Sequence, residues 1–267
     1  MNNILAKYYL DNKREFIAEA GHNILLKKIK KYIGITDDEK GKKILGIDVG
    51  CNVGNYIKNI EDICQNKNRE ILCFEPNPVN LSILKPKIQK KAYVKLYEFC
   101  LSNTNSQASL YNWKNSKKNI GGNGLAGLRS GGKKICDIPV YRLDNILDNY
   151  NDFIIKFIKI DTEGNDTNVI KGMGDYLYKT KYIIFECSDC LDDIRGPGTK
   201  NPMKDIVDYL DNYGFDTYRI GTKKLFKVNG EYWNDIYEKV KFWSNAFAIK
   251  KEDKLIEKII DENFNYL

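Results

Sequence analysis

The sequence contains one histidine, His22, among its 267 residues. Catalysis by a histidine base, or by a nucleophile that a histidine activates, would depend on that residue alone. Its place in an N-terminal helical segment predicts a surface or helix-capping role instead. The seven cysteines are odd in number and scattered, which argues against a disulfide framework. Cys187 and Cys190 have C-x-x-C spacing but no second pair or nearby histidine, so we predict no metal site.

Long apolar runs are absent as well. No stretch approaches twenty apolar residues, and the first residues lack the charged, apolar and small-residue order of a signal peptide. We therefore expect a cytoplasmic protein with no membrane span. Arginine is sparse, and the net charge of +7 comes mainly from dispersed lysines that are typical of solvated helix faces. We rank nucleic acid below other partners and keep it as an alternative.

What the chain does contain is material for one α/β domain. Hydrophobic residues make up 42% of the sequence and charged residues 30%, which fits a folded core. Apolar residues recur at helical spacing within 6–32 and predict one or two helices before the first strand. We divide the chain into an N-terminal helical extension, 1–40, and a domain, 41–267.

The strongest motif is the run Ile-Leu-Gly-Ile-Asp-Val-Gly-Cys-Asn-Val-Gly at 44–54, followed about twenty residues later by Leu-Cys-Phe-Glu-Pro-Asn. A strand, a glycine turn and a second strand that ends on an acid are typical of nucleoside-cofactor sites in parallel sheets. Asp48 would repel a pyrophosphate, so a cationic cofactor, S-adenosylmethionine, fits better. Asp48 and Gly50 would line its methionine end, and Glu75 would accept its ribose hydroxyls. Glu75 as a solvated strand end is the alternative.

A second acidic group follows two later strands. The apolar segment 152–160 predicts a buried strand that ends on Asp161, Thr162 and Glu163, and the strand 182–185 ends on Glu186. Open α/β sheets bind ligands at the carboxyl ends of their strands. The alternative is that these acids cap the helices that follow.

Other segments complete the predicted sheet. We expect a strand at 94–96, a hairpin of 108–113 and 134–140, and two last strands, of which the second is antiparallel; these are 210–219 and 244–249. The glycine-rich loop 115–132 between the hairpin strands is equally consistent with a mobile lid and with disorder. A closing helix is predicted over 254–267.

Taken together, the motifs resemble the FkbM family of S-adenosylmethionine-dependent methyltransferases. The resemblance spans roughly 44–250, and its most specific element is Asp-Thr-Glu-Gly at 161–164. It implies an α/β, Rossmann-like class I methyltransferase fold with a seven-stranded, mostly parallel sheet and helices on both faces. The implied cofactor-binding residues are Asp48, Gly50, Asn52, Gly54, Glu75, Asn77, Leu101, Ser102 and Asp161.

The resemblance also implies O-methylation of a hydroxyl on a small molecule, most often a sugar or glycan. In-line methyl transfer depends on positioning and on a base for the acceptor proton. We assign catalysis to Asp161, Lys159 and Glu186. Lys159 shares a strand face with Asp161 and is otherwise a simple ion-pair partner. The acceptor pocket is assigned to Glu163, Glu186 and Asp189.

Two other functions stay open at this point. An RNA ribose 2'-O-methyltransferase would resemble a Lys-Asp-Lys-Glu tetrad, and Lys159, Asp161 and Glu186 supply three of its members without a convincing second lysine. The second open function is a non-catalytic module that binds S-adenosylmethionine without turnover. A divalent-metal site that joins Asp189 to Asp161 and Glu186 is the minority interpretation of the acids.

Overall fold

Alternating helices and strands make up the computed structural model, which describes residues 2–16, 20–111, 124–125, 133–186, 202–240, 242, 244–260 and 265–266. Within them the helices are α1 Asn2–Asp11, α2 Ala20–Tyr32, α3 Ile57–Ile63, α4 Pro78–Ile88, α5 Leu143–Leu147, α6 Asp166–Lys171, α7 Met203–Asn212, α8 Ile236–Lys239 and α9 Leu255–Ile259. The strands are β1 Lys43–Val49, β2 Arg69–Phe74, β3 Val94–Tyr97, β4 Cys100–Ser102, β5 Ser106–Tyr111, β6 Gly124–Leu125, β7 Lys134–Arg142, β8 Phe153–Ile160, β9 Thr180–Glu186, β10 Phe215–Ile220, β11 Lys224–Lys227, β12 Asn245–Lys250 and β13 Asn265–Tyr266.

The main sheet has the strand order β13-β11-β10-β12-β9-β8-β1-β2-β3 within the described residues. Strands β9, β8, β1, β2 and β3 are parallel, and β12 runs antiparallel between β9 and β10. The seven strands from β3 to β10 confirm the predicted Rossmann-like sheet with its antiparallel last strand. Strands β11 and β13 extend one edge. The order reverses between β1 and β8, and ligands bind beside such a switch point in open α/β sheets.

Helices cover both faces of this sheet, as predicted. Side chains alternate along β1, so that Ile44 packs in one core cluster while Leu45, Ile47 and Val49 pack in the other. The first cluster also holds apolar residues of α2, α3, α4 and α9, and the second holds those of α5, α6 and α7. The core is therefore two apolar layers with the sheet between them. None of the helices in the described part of the chain has the length and apolar character needed to span a bilayer.

A second, smaller sheet lies beside the main one. Strands β5 and β7 pair antiparallel, which confirms the predicted hairpin, and β4 and β6 flank them. Apart from β6, the predicted loop 115–132 lies outside the described residues. Strands β4 and β5 contribute Cys100, Leu101 and Leu110 to the lining of a cleft beside the main sheet.

Two predicted elements near the C-terminus are wrong. The predicted strand 210–219 is split: α7 continues through Asn212, and β10 begins only at Phe215. The buried residues Met203, Ile206, Val207 and Leu210 have helical spacing, and Gly214, at φ +79°, allows the turn that follows. The predicted closing helix 254–267 is also shorter. Its described part is α9, and residues 265–266 form β13, which pairs with β11.

The predicted N-terminal extension contributes to the core of the sheet. Tyr9 of α1 is fully buried and donates a hydrogen bond to the Val240 carbonyl oxygen at 2.8 Å. The guanidinium of Arg219, also fully buried, donates to the Tyr9 hydroxyl at 2.9 Å and to the Ser244 hydroxyl. These contacts tie α1 to β10, and β10 to the residue that precedes β12. The boundary at residue 40 stays a prediction.

A buried ion pair fixes the segment that enters β1. Glu39 and Lys156 have 0% and 2% of their side chains exposed, and their charged atoms lie 2.8 Å apart. Lys181 lies 3.0 Å from the other carboxylate oxygen of Glu39. Removing this carboxylate would leave two partly or fully buried cations without their shared partner, which is strongly destabilising.

We therefore expect Glu39→Ala to lower the free energy of unfolding by about 3–5 kcal/mol, measured by urea denaturation. The matched control is Asp37→Ala, two residues earlier, where the carboxylate is 95% exposed and pairs with Lys40 at the surface. Exposed pairs of that kind contribute little, so the control should unfold like the wild type. Equal losses in both variants would contradict the role given to the buried pair.

Candidate functional site

A cleft of about 380 Å³ opens at the carboxyl edge of the main sheet. Its walls come from the segments that follow β1, β2 and β8, with further residues from α2, α3, the small sheet and β12. Of the predicted site residues, those that line it are Gly50, Asn52, Glu75, Leu101, Lys159, Asp161 and Glu163. The sequence motifs therefore meet at one place in the fold.

The turn after β1 approaches the end of β8 very closely. Gly50 has φ +72°, and a Cβ at this position would lie 2.0 Å from the Asp161 carbonyl oxygen. The backbone N–H groups of Gly50 and Cys51 both donate to the Phe74 carbonyl oxygen at 3.0 Å, which closes the turn against β2. Asn52 also has positive φ, at 52°. Glycine is required at position 50 by both conformation and space.

Gly50→Ala is expected to disrupt the cleft, because its methyl group cannot fit without moving the backbone of Asp161. Gly41→Ala is a matched control, since Gly41 has φ +74° but a Cβ there would meet no heavy atom within 4 Å beyond its chain neighbours. Backbone strain alone should cost the control about 1–2 kcal/mol, and Gly50→Ala should lose more stability. Urea denaturation of both variants measures this difference, and equal losses would show that the close approach is unimportant.

Three charged side chains form the centre of the site. The register of the parallel strands pairs Asp48 of β1 with Lys159 of β8. The Lys159 ammonium lies 3.6 Å from an Asp48 carboxylate oxygen and 3.4 Å from an Asp161 carboxylate oxygen, and it donates to the Gly50 carbonyl oxygen at 3.0 Å. The Asp48 carboxylate is fully buried, whereas the Asp161 side chain is 40% exposed. With both carboxylates ionised, two negative charges face one positive charge.

At both Asp48 and Lys159, burial and the neighbouring charges of opposite sign shift the pKa in opposite directions. Burial raises the pKa of Asp48, the Lys159 ammonium partly offsets this effect, and the net pKa is about 6. For Lys159, burial lowers the pKa, but the carboxylates of Asp161 and Asp48 more than offset it and hold the pKa above its ordinary value. Neither carboxylate oxygen of Asp48 has a hydrogen-bond partner among the described residues. A buried, incompletely satisfied acid of this kind favours a nearby cation.

Glu75 joins the turns that follow β1 and β2. One of its carboxylate oxygens accepts from the Asn52 backbone N–H at 2.8 Å, and the other accepts from the Asn77 backbone N–H at 2.9 Å and the Asn80 amide at 3.2 Å. Burial raises the pKa of Glu75, while these hydrogen bonds act to lower it. The side chain is 5% exposed and lines the cleft. Its carboxylate is thus held in one orientation and is not a solvated strand end.

The wall beside Glu75 is apolar. Phe74, Phe99, Leu101 and Leu110 line it, and the rings of Phe74 and Phe99 have centroids 5.8 Å apart. The Asn165 amide donates to the Leu101 carbonyl oxygen at 2.8 Å and fixes β4 against the end of β8. A flat apolar ligand group beside a carboxylate fits this wall.

The loop 161–164 is shaped by the helix that follows it. Glu163 has φ 59° and Gly164 has φ 105°. The Asp166 carboxylate at the start of α6 accepts from the backbone N–H groups of Thr162 and Gly164, each at 3.2 Å. The Asp166 side chain therefore orders this loop, the N-cap residue of α6 is Asn165, and Asp161 and Glu163 line the cleft.

Some predicted site residues support the cleft from behind. Gly54 has φ +79°, and a Cβ there would lie 2.6 Å from the Leu84 side chain. The Asn77 side chain accepts from the Val79 backbone N–H at 2.9 Å and caps α4. Neither is among the described residues that line the cleft.

Three other predicted residues also lie outside the lining of the described cleft, and one of them is Asp48, the fully buried acid of the charged centre. Ser102 is 8% exposed at the end of β4, and Glu186 is 6% exposed at the end of β9, where the register pairs it with Asn245. Asp189, together with the Cys187 to Cys190 pair, lies outside the described residues.

The surface position predicted for His22 is wrong. The side chain is 6% exposed and lines the cleft. It lies 2.9 Å from both the Tyr56 hydroxyl and the Asn245 amide nitrogen. Tyr56 and Asn245 line the cleft too and were not predicted, since a tyrosine and an asparagine in unremarkable segments give no sequence signal. Only the packing of α2 against the sheet brings these three residues together.

The comparisons with known proteins agree with this architecture. The profile of the family described as Methyltransferase FkbM domain matches residues 48–217. Among curated proteins, none matches this sequence.

Solved structures provide weaker similarities. A methyltransferase FkbM from Methylobacillus flagellatus KT is similar at 12% identity, over 92% of this chain and 58% of that chain, with a TM-score of 0.46. A precorrin-6y C5,15-methyltransferase from Geobacter metallireducens GS-15 is similar at 12% identity, over 86% of this chain and 87% of that chain, with a TM-score of 0.40. A putative rRNA-methylase from Clostridium thermocellum is similar at 11% identity, over 88% of this chain and 96% of that chain, with a TM-score of 0.44. The chain thus spans somewhat more than half the length of the FkbM structure that it matches.

Proposed function

Because the chain belongs to the FkbM methyltransferase family, we propose that it transfers a methyl group from S-adenosylmethionine to a hydroxyl of a sugar or glycan. The observation that carries this proposal is the charged centre of Asp48, Lys159 and Asp161, in which one carboxylate is buried and the other reaches the cleft. The buried carboxylate would attract a cationic cofactor, and the accessible carboxylate could take the proton of the acceptor hydroxyl.

The charged groups of the site fit S-adenosylmethionine. The cofactor carries an ammonium and a sulfonium, and the centre holds two carboxylates against one ammonium, so the excess negative charge favours it. Asp48, Gly50 and Asn52 would hold its methionine end, Glu75 would accept its ribose hydroxyls, and the wall at Leu101 would take its base. When bound, the cofactor supplies an electrophilic methyl group.

Asp161 is the proposed base. It follows β8 at the centre of the site, and its side chain is 40% exposed, so an acceptor hydroxyl can reach it. Taking the proton of that hydroxyl makes the oxygen a better nucleophile, an effect worth roughly a hundred- to ten-thousand-fold. Lys159, 3.4 Å away, fixes the orientation of the carboxylate.

A neutral, hydroxyl-rich acceptor suits the remaining lining. The neutral polar side chains of that lining include His22, Asn23, Asn55, Tyr56, Asn59 and Asn245. Lys159 is the one cation among the described lining residues, and it already faces two carboxylates. Phosphates are bound mainly by lysine and arginine, so these features support a sugar over the RNA alternative.

The test is formation of S-adenosylhomocysteine from S-adenosylmethionine. The acceptors are D-glucose, D-galactose, D-mannose, L-rhamnose and L-fucose, with a single-stranded RNA oligonucleotide in parallel. We expect product with at least one sugar and none with the RNA. Methylation of the RNA, with affinity that falls steeply with salt, would favour the RNA alternative. Cofactor binding without turnover on any acceptor would favour the non-catalytic module.

A further inference from the structure

We propose that His22 holds Tyr56 and Asn245 as a hydrogen-bonding subsite for the acceptor hydroxyl. This inference rests on the proposed function and adds a positioning residue and a recognition surface to it. The three side chains come from α2, the turn before α3 and the start of β12. All three line the cleft.

The hydrogen bonds of the trio determine where its protons lie. The Asn245 amide nitrogen, 2.9 Å from His22 Nδ1, can only donate, so Nδ1 must accept. The imidazole proton then resides on Nε2 and is donated to the Tyr56 hydroxyl oxygen at 2.9 Å. The Tyr56 hydroxyl proton is consequently directed away from the imidazole. One neutral tautomer thus orients both neighbours.

The surroundings of His22 preserve that neutral form. Burial and, to a lesser extent, the Lys159 ammonium lower the pKa of His22, the Asp161 carboxylate acts to raise it, and the net pKa is about 4. Near neutral pH the ring is therefore uncharged. Protonation at Nδ1 would remove the acceptor that Asn245 requires.

The order of strands places Asn245 beyond Asp161 from the proposed cofactor residues. Along the carboxyl edge, the strands run β2, β1, β8, β9, β12, so Asp161, which follows β8, lies at the midpoint. The proposed cofactor residues follow β1 and β2, whereas Asn245 begins β12 on the other side of Asp161. Tyr56 comes from the turn that follows β1 and lies at the charged centre between the two sides, with the Lys159 ammonium 5.7 Å from the centre of its ring.

The position of His22 is built into the backbone. A Cβ at the preceding residue, Gly21, would lie 1.9 Å from the Gly221 carbonyl oxygen. The start of α2 can approach the segment after β10 this closely only because residue 21 has no side chain. The Tyr56 ring is also fixed, since it stacks on Phe157 with centroids 6.4 Å apart.

The chemistry of the trio suits one kind of ligand. Its side chains are an amide, a phenol and a neutral imidazole, which donate and accept hydrogen bonds without carrying charge. Neighbouring hydroxyls of a sugar also donate and accept. An acceptor that is uncharged at the reacting end would therefore exchange hydrogen bonds to water for hydrogen bonds to this surface.

The single histidine makes the first test direct. In protein labelled with ¹⁵N-histidine, every imidazole signal belongs to His22. We expect the Nε2–H tautomer at neutral pH and a pKa of about 4. A pKa near the ordinary 6.5, or a mixture of tautomers, would overturn the inference.

The second test separates the acceptor from the cofactor. Tyr56→Phe, Asn245→Ala and His22→Gln should each raise KM for the best sugar of the panel roughly 3- to 10-fold, the loss of about one hydrogen bond. We expect kcat, and the Kd of S-adenosylhomocysteine, to stay within about twofold of wild type. Tyr97→Phe is the control, because its hydroxyl contacts Tyr150 at 3.2 Å and it does not line the described cleft.

The failures of the two proposals can be told apart. Weaker binding of S-adenosylhomocysteine by the three variants would place the trio in the cofactor subsite and overturn this inference alone. Unchanged KM in all three variants would do the same. A wild-type protein that binds S-adenosylhomocysteine but methylates none of the sugars would contradict the proposed acceptor class, and the inference with it.

Discussion

Asp161→Asn is expected to lower kcat for methyl transfer by roughly a hundred- to ten-thousand-fold, because the amide cannot take the proton of the acceptor hydroxyl. Asparagine has nearly the shape of aspartate, and Asp48 stays beside Lys159 at 3.6 Å. The Kd of S-adenosylhomocysteine should therefore change by less than about tenfold. Steady-state kinetics and calorimetry on the same preparation give both quantities.

Asp152→Asn is the matched control for this variant. Asp152 precedes the same strand, β8, at its opposite end, where its side chain is 63% exposed and pairs with Lys43. We expect its kcat to equal that of the wild type. If Asp161→Asn keeps full kcat, the base lies elsewhere, and Glu163 is the next carboxylate in the lining.

Glu75→Ala is expected to reduce cofactor affinity by roughly tenfold to more than a hundredfold. Hydrogen bonds to a charged group contribute about 1.5–3 kcal/mol each, and we propose that the carboxylate accepts the ribose hydroxyls. The substitution also leaves the N–H groups of Asn52 and Asn77 and the Asn80 amide without their common acceptor. Calorimetric titration with S-adenosylhomocysteine measures the loss.

The control for this second variant is Glu98→Ala, which removes a carboxylate that is 49% exposed and pairs with Lys85 outside the described cleft lining. Its cofactor affinity should be that of the wild type. Glu75→Gln tests the charge separately from the shape, and we expect an intermediate loss. Wild-type affinity in a well-folded Glu75→Ala protein would mean that the ribose is held by other residues.

The central strands were predictable because their signals are local and strong. Strand β8 is a buried apolar run that ends on acids, and β1 is an apolar run that ends in a glycine turn. Such runs must lie inside a sheet whose two faces are covered. The split of 210–219 into α7 and β10 was missed because apolar residues at helical spacing merge there with those of a strand, and the boundary depends on one residue, Gly214.

The acidic part of the site was predictable for a related reason. Asp48 lies near the end of one apolar strand, and Glu75 and Asp161 each follow another, so the sheet itself brings them to one edge. The placement of Lys159 between two carboxylates requires the register of β1 and β8, which the sequence does not state. The cofactor and acceptor roles of these residues stay predictions.

The contacts of His22 could not be predicted from the sequence. They join residues 34 and 223 positions apart, and α2 approaches the sheet through a backbone contact between two glycines. Neither the spacing of apolar residues nor the charge pattern carries that information. For this reason the sequence predicts His22 at the surface, whereas the structure places it in the lining of the cleft.

The measurement that tests the central claim most directly is a calorimetric titration of the full chain with S-adenosylhomocysteine, with Asp48→Ala in parallel. We predict micromolar binding at one site per chain, lost in the variant because the buried carboxylate beside Lys159 is gone. Wild-type protein that is folded by circular dichroism and shows no heat of binding would contradict the account.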